Sequence, residues 1–237
     1  MRCWVVLAVL VTATACESGG EPVAGPANPL APGRPIQQQA HEATAALDTA
    51  AATVDVVSGA TTVTVRSADL GPDRIRIVTA DDAAVAPVLD ATGDTVTVAL
   101  RGTGEPGPAS VTVLLDRRVR WQVRLSGGAT DELLDLRDAR LTGVDLAAGA
   151  TRIELRLPTP DRAVPIRMTG GASELTVHVP AGVATGVRVG GGAGSAEVDG
   201  VRRSGLAGGT VLSSATDPDR YDVDAVAGVS TLVLDRG

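Results

Sequence analysis

The sequence predicts an all-β chain, a right-handed-type β-solenoid of short strands in coils of about 20 residues. Three observations carry that expectation. Short runs alternate aliphatic or β-branched residues with polar ones, the period of a half-buried strand. Glycines recur at intervals near 20 residues, as they do in stacked repeats. Phenylalanine is absent and aromatics make up 1% of the chain, which suits a narrow interior filled by Val, Leu and Ile. Codon bias in a high-GC genome produces the same poverty.

Residues 1 to 16 come first. They hold one charge, Arg2, an apolar run from Trp4 to Val11, and then Ala13-Thr14-Ala15-Cys16. That is the layout of a secretory signal with small residues before its cleavage site. An apolar run of about a dozen residues is too short to cross a hydrocarbon core of about 30 Å as a helix, so no retained membrane-spanning anchor is expected. A cysteine at the junction resembles the lipobox of bacterial lipoproteins, whose sulfur receives a diacylglycerol and whose mature N-terminus carries fatty acyl chains such as palmitate. Ala13 departs from the Leu or Val usual three residues before that cysteine, and Ala13-x-Ala15 also satisfies ordinary secretion. Cys16 is nevertheless the single cysteine beyond the signal. We expect Cys16 to be lipidated, leaving a mature domain with no disulfide.

From Glu17 to about Gln39 the chain is rich in proline, glycine and small residues, the composition of a tether. Gln37 to Ala52, rich in Ala and Gln, is a candidate short helix with little to bury. The expected division is 1-15 signal peptide, 16-52 lipidated cysteine and tether, and 53-237 β-solenoid.

Strands are then expected in order at Thr62 to Val65, Arg74 to Ile77, Asp94 to Leu100, Ser110 to Leu115 and Trp121 to Leu125. Arg152 to Leu157, Pro165 to Met168, Glu174 to Val179, Gly186 to Val189 and finally Thr231 to Leu234 complete the series. Between them, Gly127-Gly128-Ala129 echoes Gly170-Gly171-Ala172, and Ala148-Gly149-Ala150 echoes Ala227-Gly228-Val229. The expected role of these glycines is a positive-φ corner between strands. Thr231 to Leu234 is expected to end the stack, with the irregular stretch from Gly200 to Asp224 folding over that end.

The phrase Gly171 to Val183, with Val179-Pro180-Ala181-Gly182-Val183, followed by Val187-Arg188-Val189 and Gly190 to Gly194, resembles a repeat of the toastrack, or putative-adhesin, β-solenoid family. The likeness is clearest from Trp121 to Asp235. It implies an extracytoplasmic solenoid with an interaction or sensory role and no catalytic residues to carry over. This chain lacks the transmembrane helix that many members carry.

All 21 basic residues are arginine, which removes every lysine-dependent chemistry: Walker A, Schiff base, kinase-type phosphate contact. The net charge of −7 argues against nucleic acid as a partner. Charge will not hold the protein to anionic lipid either, so the membrane contact is expected through the lipid anchor.

Candidate motifs resolve toward structure. Gly190 to Ser195 has Ser195 where a dinucleotide fingerprint needs glycine, and Ala196 where a calcium nonapeptide needs aspartate. Asp217, Asp219, Asp222 and Asp224 alternate as cation ligands would, but Arg220 lies among them and the EF-hand glycine and glutamate are missing. His178 alternates outward between Val177 and Val179; His41 falls in the tether; together they make no metal site. Asp135 and Asp138 flank Arg137 and could serve a glycosidase, yet charges on a solenoid's outer face are commonly only its solvent face. The expectation is a non-enzymatic, lipid-anchored, extracytoplasmic interaction or scaffold module at the cell membrane, with no cofactor and no metal. Its partner is an envelope protein or glycan, and the chain itself is a monomer. The alternatives are a small-ligand-binding lipoprotein and, less favoured, a polysaccharide-acting enzyme.

Overall fold

A computed structural model describes residues 36–237, so Cys16 and the signal lie outside the described residues. All of the regular structure described is β. The chain begins with β1 (Gln37–Gln38), β2 (Glu42–Ala45), β3 (Ala51–Val56), β4 (Ala60–Ala68) and β5 (Ile75–Val78). It continues with β6 (Val85–Thr92), β7 (Thr95–Gly102), β8 (Ser110–Asp116), β9 (Arg120–Leu125) and β10 (Ala129–Asp135). Next come β11 (Arg140–Leu146), β12 (Ala150–Arg156), β13 (Ala163–Met168), β14 (Ala172–Val179) and β15 (Ala184–Val189). The last are β16 (Ala193–Val198), β17 (Val201–Leu206), β18 (Thr210–Ser213), β19 (Arg220–Ala225) and β20 (Val229–Arg236).

Each coil is two strands joined by a sharp corner, one strand in each of two facing sheets. The first sheet has the order β1-β2-β5-β8-β4-β10-β12-β14-β20-β16-β17, the second β18-β15-β19-β13-β11-β9-β3-β7-β6. From β8 to β16 and from β7 to β15 every pairing is parallel, as winding in one sense requires. At both ends the pairing turns antiparallel. Ala129 sits beside Ala150 and Ala150 beside Ala172, so these coils advance by 21 and 22 residues. This is the β-solenoid-like architecture that the alternation and glycine spacing predict.

Inward residues form ladders. Val65, Leu134, Leu155, Val177, Leu234 and Val198 stand in register through one sheet. Val54, Val123, Val144, Ile166, Val223 and Val187 do so through the other. Burying such side chains supplies about 1.5–3 kcal/mol each, the term that holds a disulfide-free domain together. Trp121 and Tyr221 are fully buried and each satisfies its polar atom. Trp121 Nε1 donates to Asp116 O at 2.9 Å and Tyr221 Oη to Pro158 O at 2.7 Å.

Four expectations are corrected. First, the tether does not extend to residue 52. β1 and β2 lie in the first sheet, with Ala43 and Ala45 buried, and Gln37 to Ala52 holds strands, not the short helix its Ala and Gln content could form. Small alanines pack closely enough to cover the stack end, and Gln38 Nε2 donates to Pro87 O of β6, bridging the two sheets. His41 belongs to this cap, its Nδ1 3.1 Å from Thr79 Oγ1.

Second, most of the recurring corner glycines are not positive-φ residues. Gly192 and Gly209 have positive φ, whereas Gly127, Gly128, Gly149, Gly170, Gly171 and Gly228 do not. These are needed because neighbouring corners touch. Ala60 N donates to Gly128 O, Ala129 N to Gly149 O, Ala150 N to Gly171 O and Ala172 N to Gly228 O.

Third, Thr231 to Leu234 does not end the stack. β19 and β20 lie inside it, between β13–β14 and β15–β16. The first coil along the chain, β3–β4, is likewise interior, with β7–β8 outside it.

Fourth, the Gly200 to Asp224 stretch divides. β17 and β18 form the end of the stack, whereas β19 enters its interior.

Candidate functional site

The outer face of the first sheet is built of charges brought into rows by the register. Arg66, Asp135, Arg156, His178 and Asp235 occupy one row. Asp131, Arg152 and Glu174 occupy another. Parallel in-register coils place identical positions about 4.8 Å apart, so like charges would repel and alternation is stable. Arg152 Nε donates to Asp131 Oδ1 at 2.7 Å, and Arg156 Nε to Glu154 Oε1 at 2.8 Å.

His178 lies as alternation predicts, half-buried between the buried Val177 and Val179. Its Nδ1 is 2.6 Å from Asp235 Oδ1 and its Nε2 3.4 Å from Glu154 Oε1. Beside it opens a cleft of about 450 Å³ lined by Arg137, Arg156, Leu157, Thr159, His178 and Pro180 among others. Its polar groups satisfy one another: Arg137 donates to both oxygens of Asp135 at 2.8 and 2.7 Å and holds that carboxyl below its usual range. Asp235 holds the ring through Nδ1, while Nε2 approaches Glu154 Oε1, which already accepts from Arg156 Nε. Among the described residues no three His, Cys, Asp or Glu side chains are placed to hold a metal ion.

The other candidates fall into structural roles. Arg220 Nε donates to Asp222 Oδ1 at 3.0 Å and its Nη1 to Asp217 O at 2.8 Å, so an arginine occupies the centre of the aspartate cluster. Asp217 and Asp219 sit in an exposed loop, Asp222 and Asp224 on β19. Asp138 is in the turn after β10 and is not paired with Asp135. The Gly190 to Ser195 run is a corner, where a Cβ on Gly191 would lie 2.6 Å from Ala227 C.

Two features escape a reading of motifs. Asp116 is a hub: its Oδ2 accepts from Leu70 N at 3.1 Å, while its Oδ1 accepts from Arg118 N at 3.0 Å and Arg118 Nε at 2.7 Å. Burial pushes this carboxyl up, but Arg118 and the two amides outweigh it and bring it down to about 2. The other is Glu132, 2% exposed and with neither oxygen hydrogen-bonded, standing in an inward ladder between Val63 and Ile153. Burial pushes its carboxyl up to about 7. The signal for it was in the alternation of Glu132, Leu134 and Leu136, all on one face and all buried.

No family model matches the chain, and no curated protein matches it. Among solved structures the fold is similar to the crystal structure of a "putative cell adhesion protein" from Clostridium sporogenes ATCC 15579. The TM-score is 0.54 at 12% identity, covering 83% of this chain and 100% of that one. At that identity the likeness is one of architecture, and residue roles do not transfer with it.

Proposed function

We propose that this protein is a lipid-anchored, extracytoplasmic scaffold or interaction module of the cell envelope, without enzymatic activity. The observation that carries the reading is the interior, filled along its length by aliphatic ladders, with Trp121 and Tyr221 buried in it and hydrogen-bonded. A ligand carrier needs a concave, enclosing pocket, and the cleft beside His178 is open to solvent, with its Arg137 and Arg156 paired to Asp135 and Glu154. A glycosidase needs two carboxyls poised across a groove, and Asp131, Asp135 and Glu154 of the outer face are tied to arginines along the sheet. The lipobox-like Cys16 supports placement at the membrane surface, and the adhesion protein of similar fold supports a surface role.

Crosslinking in intact cells tests this reading. Recovery of a defined envelope protein or glycan with the wild-type chain, lost when Cys16→Ser releases the chain from the membrane fraction, is the expected result. Retention of the Cys16→Ser variant at the membrane, without fatty-acid labelling of either form, would sink the anchor. Hydrolysis of envelope polysaccharide by the purified chain would sink the non-enzymatic assignment.

A further inference from the structure

The two ends of the stack are built differently. At one end β1 and β2 cross toward β6, and Gln38 ties the two sheets together. At the other, among the described residues, β17 is the last strand of the first sheet and pairs with β16 alone. Five of its six residues are exposed, Val201 to 59%.

This edge is rigidly presented. The β16–β17 hairpin turns through Asp199 (φ 51°) and Gly200 (φ 79°), the left-handed pair of a tight two-residue loop. Arg236 of the interior strand β20 grips Asp199 with two bonds, Nε to Oδ1 at 2.7 Å and Nη2 to Oδ2 at 3.0 Å. In such a hairpin the residues flanking the loop, Val198 and Val201, exchange both backbone bonds. Arg202 and Ser204, opposite Glu197 and Ser195, therefore aim their N–H and C=O groups outward.

The side chains define what fits. Val201 and Arg203 stand opposite Val198 and Ala196 and continue the core face; Arg202 and Ser204 lie on the outer face. Among the described residues the ion pairs at this end are Arg188–Asp224 and Arg236–Asp199, and neither Arg202 nor Arg203 takes part in one. Two such edges brought together would set four guanidinium groups side by side, which disfavours a second copy. An incoming strand with adjacent acidic residues, one on each face, and an apolar residue beside Val201 meets no such penalty.

We propose that the free edge of β17 is a docking site where an extended acidic segment of an envelope protein adds to the sheet as a further strand. Main-chain bonds to Arg202 and Ser204 provide attachment, and the Arg202–Arg203 pair provides selection. This rests on the scaffold reading and names the chemistry of the partner.

The test uses the full mature chain carrying Cys16→Ser and a short synthetic peptide that alternates Val and Thr around a central Asp-Glu pair. The peptide should bind, more weakly as salt rises, and its counterpart with a central Lys-Arg pair should not. Ser204→Pro removes an outward N–H and leaves the β16 bonds intact; it should weaken binding at least about tenfold with the melting temperature unchanged. Arg202→Glu with Arg203→Glu should reverse the preference between the two peptides, a readout independent of whether Ser204→Pro folds. Equal binding of both peptides, no binding of either, or binding indifferent to Ser204→Pro in a folded protein would overturn the proposal. So would a dimer in sedimentation that Ser204→Pro dissolves, which would assign the edge to a second copy. Crosslinking in cells would still recover a partner if only this edge were wrongly chosen.

Discussion

Gly170 lies against the backbone of Ala148 so closely that a Cβ on it would sit 2.0 Å from the Ala148 carbonyl oxygen. The same relation holds for Gly127 against Ser58 O at 2.2 Å and for Gly191 against Ala227 C at 2.6 Å. In stack order the middle corner residues run Ser58, Gly127, Ala148, Gly170, Ala227, Gly191, so residues with and without a Cβ alternate. Each side chain has room because the corner beside it has none.

Adjacent glycines should therefore respond oppositely to substitution. Gly170→Ala drives a methyl into backbone that has no rotamer to yield, and should cost about 2–3 kcal/mol or more in urea unfolding. At Gly171 the added Cβ meets Gly228 O at 3.5 Å, ordinary contact. Gly171→Ala should stay within about 1 kcal/mol. Equal losses would show that the corners relax.

Glu132 should make stability fall as pH rises. Its folded-state value near 7 lies above the ordinary 4.5, so the folded chain holds a proton that the unfolded chain releases. The full contribution is present below about 4.5, declines between about 4.5 and 7, and is gone above. The loss across that window is about 3 kcal/mol. Glu132→Leu should remove the slope and raise the melting temperature at pH 8 more than at pH 4. A wild-type curve flat from pH 4.5 to 7 would reject a neutral buried carboxyl.

Asp116 acts in the opposite direction. Its value near 2, below the ordinary 3.8, stabilises the fold above about 3.8 and is lost as pH falls through about 2. Asp116→Asn should cost about 2 kcal/mol at pH 7 and converge with wild type in strong acid. Together the two carboxyls predict greatest stability near pH 4 to 5.

The final coil should behave as core. Leu232 of β20 is 0% exposed and stands between Leu175 and Ala196. Leu232→Ala should cost about 2–5 kcal/mol, as much as Leu155→Ala in mid-stack. Chains ending before β19 should lose the cooperative unfolding of β15 to β18 in hydrogen exchange, because those strands reach the stack through β19 and β20. Retention of that protection would contradict the interior placement.

Alternation made the ladders legible where it was clean, as at Trp121 to Leu125 and Glu174 to Val179. It hid β10, where Glu132 occupies an inward position that pattern reading reserves for apolar residues. The ends were legible least. Gln37 to Ala45 looks like tether because alanines leave little hydrophobic signal, yet pairing with β5 buries Ala43 and Ala45.

By itself the sequence determined the all-β class, the inward and outward faces and the pitch of the coils, since each depends on a local period. Which coil lies beside which was decided only in three dimensions. Along the chain the corner phrases run Ser-Gly, Gly-Gly, Ala-Gly, Gly-Gly, Gly-Gly, Ala-Gly, and the alternation breaks at the fifth. Placing β19–β20 between β13–β14 and β15–β16 restores it, setting Ala227 between Gly170 and Gly191. That order is a matter of which backbones can approach, and a close approach involves two distant segments at once. For the same reason the exposed edge of β17 and the isolation of Glu132 emerged only when the strands on either side were in place.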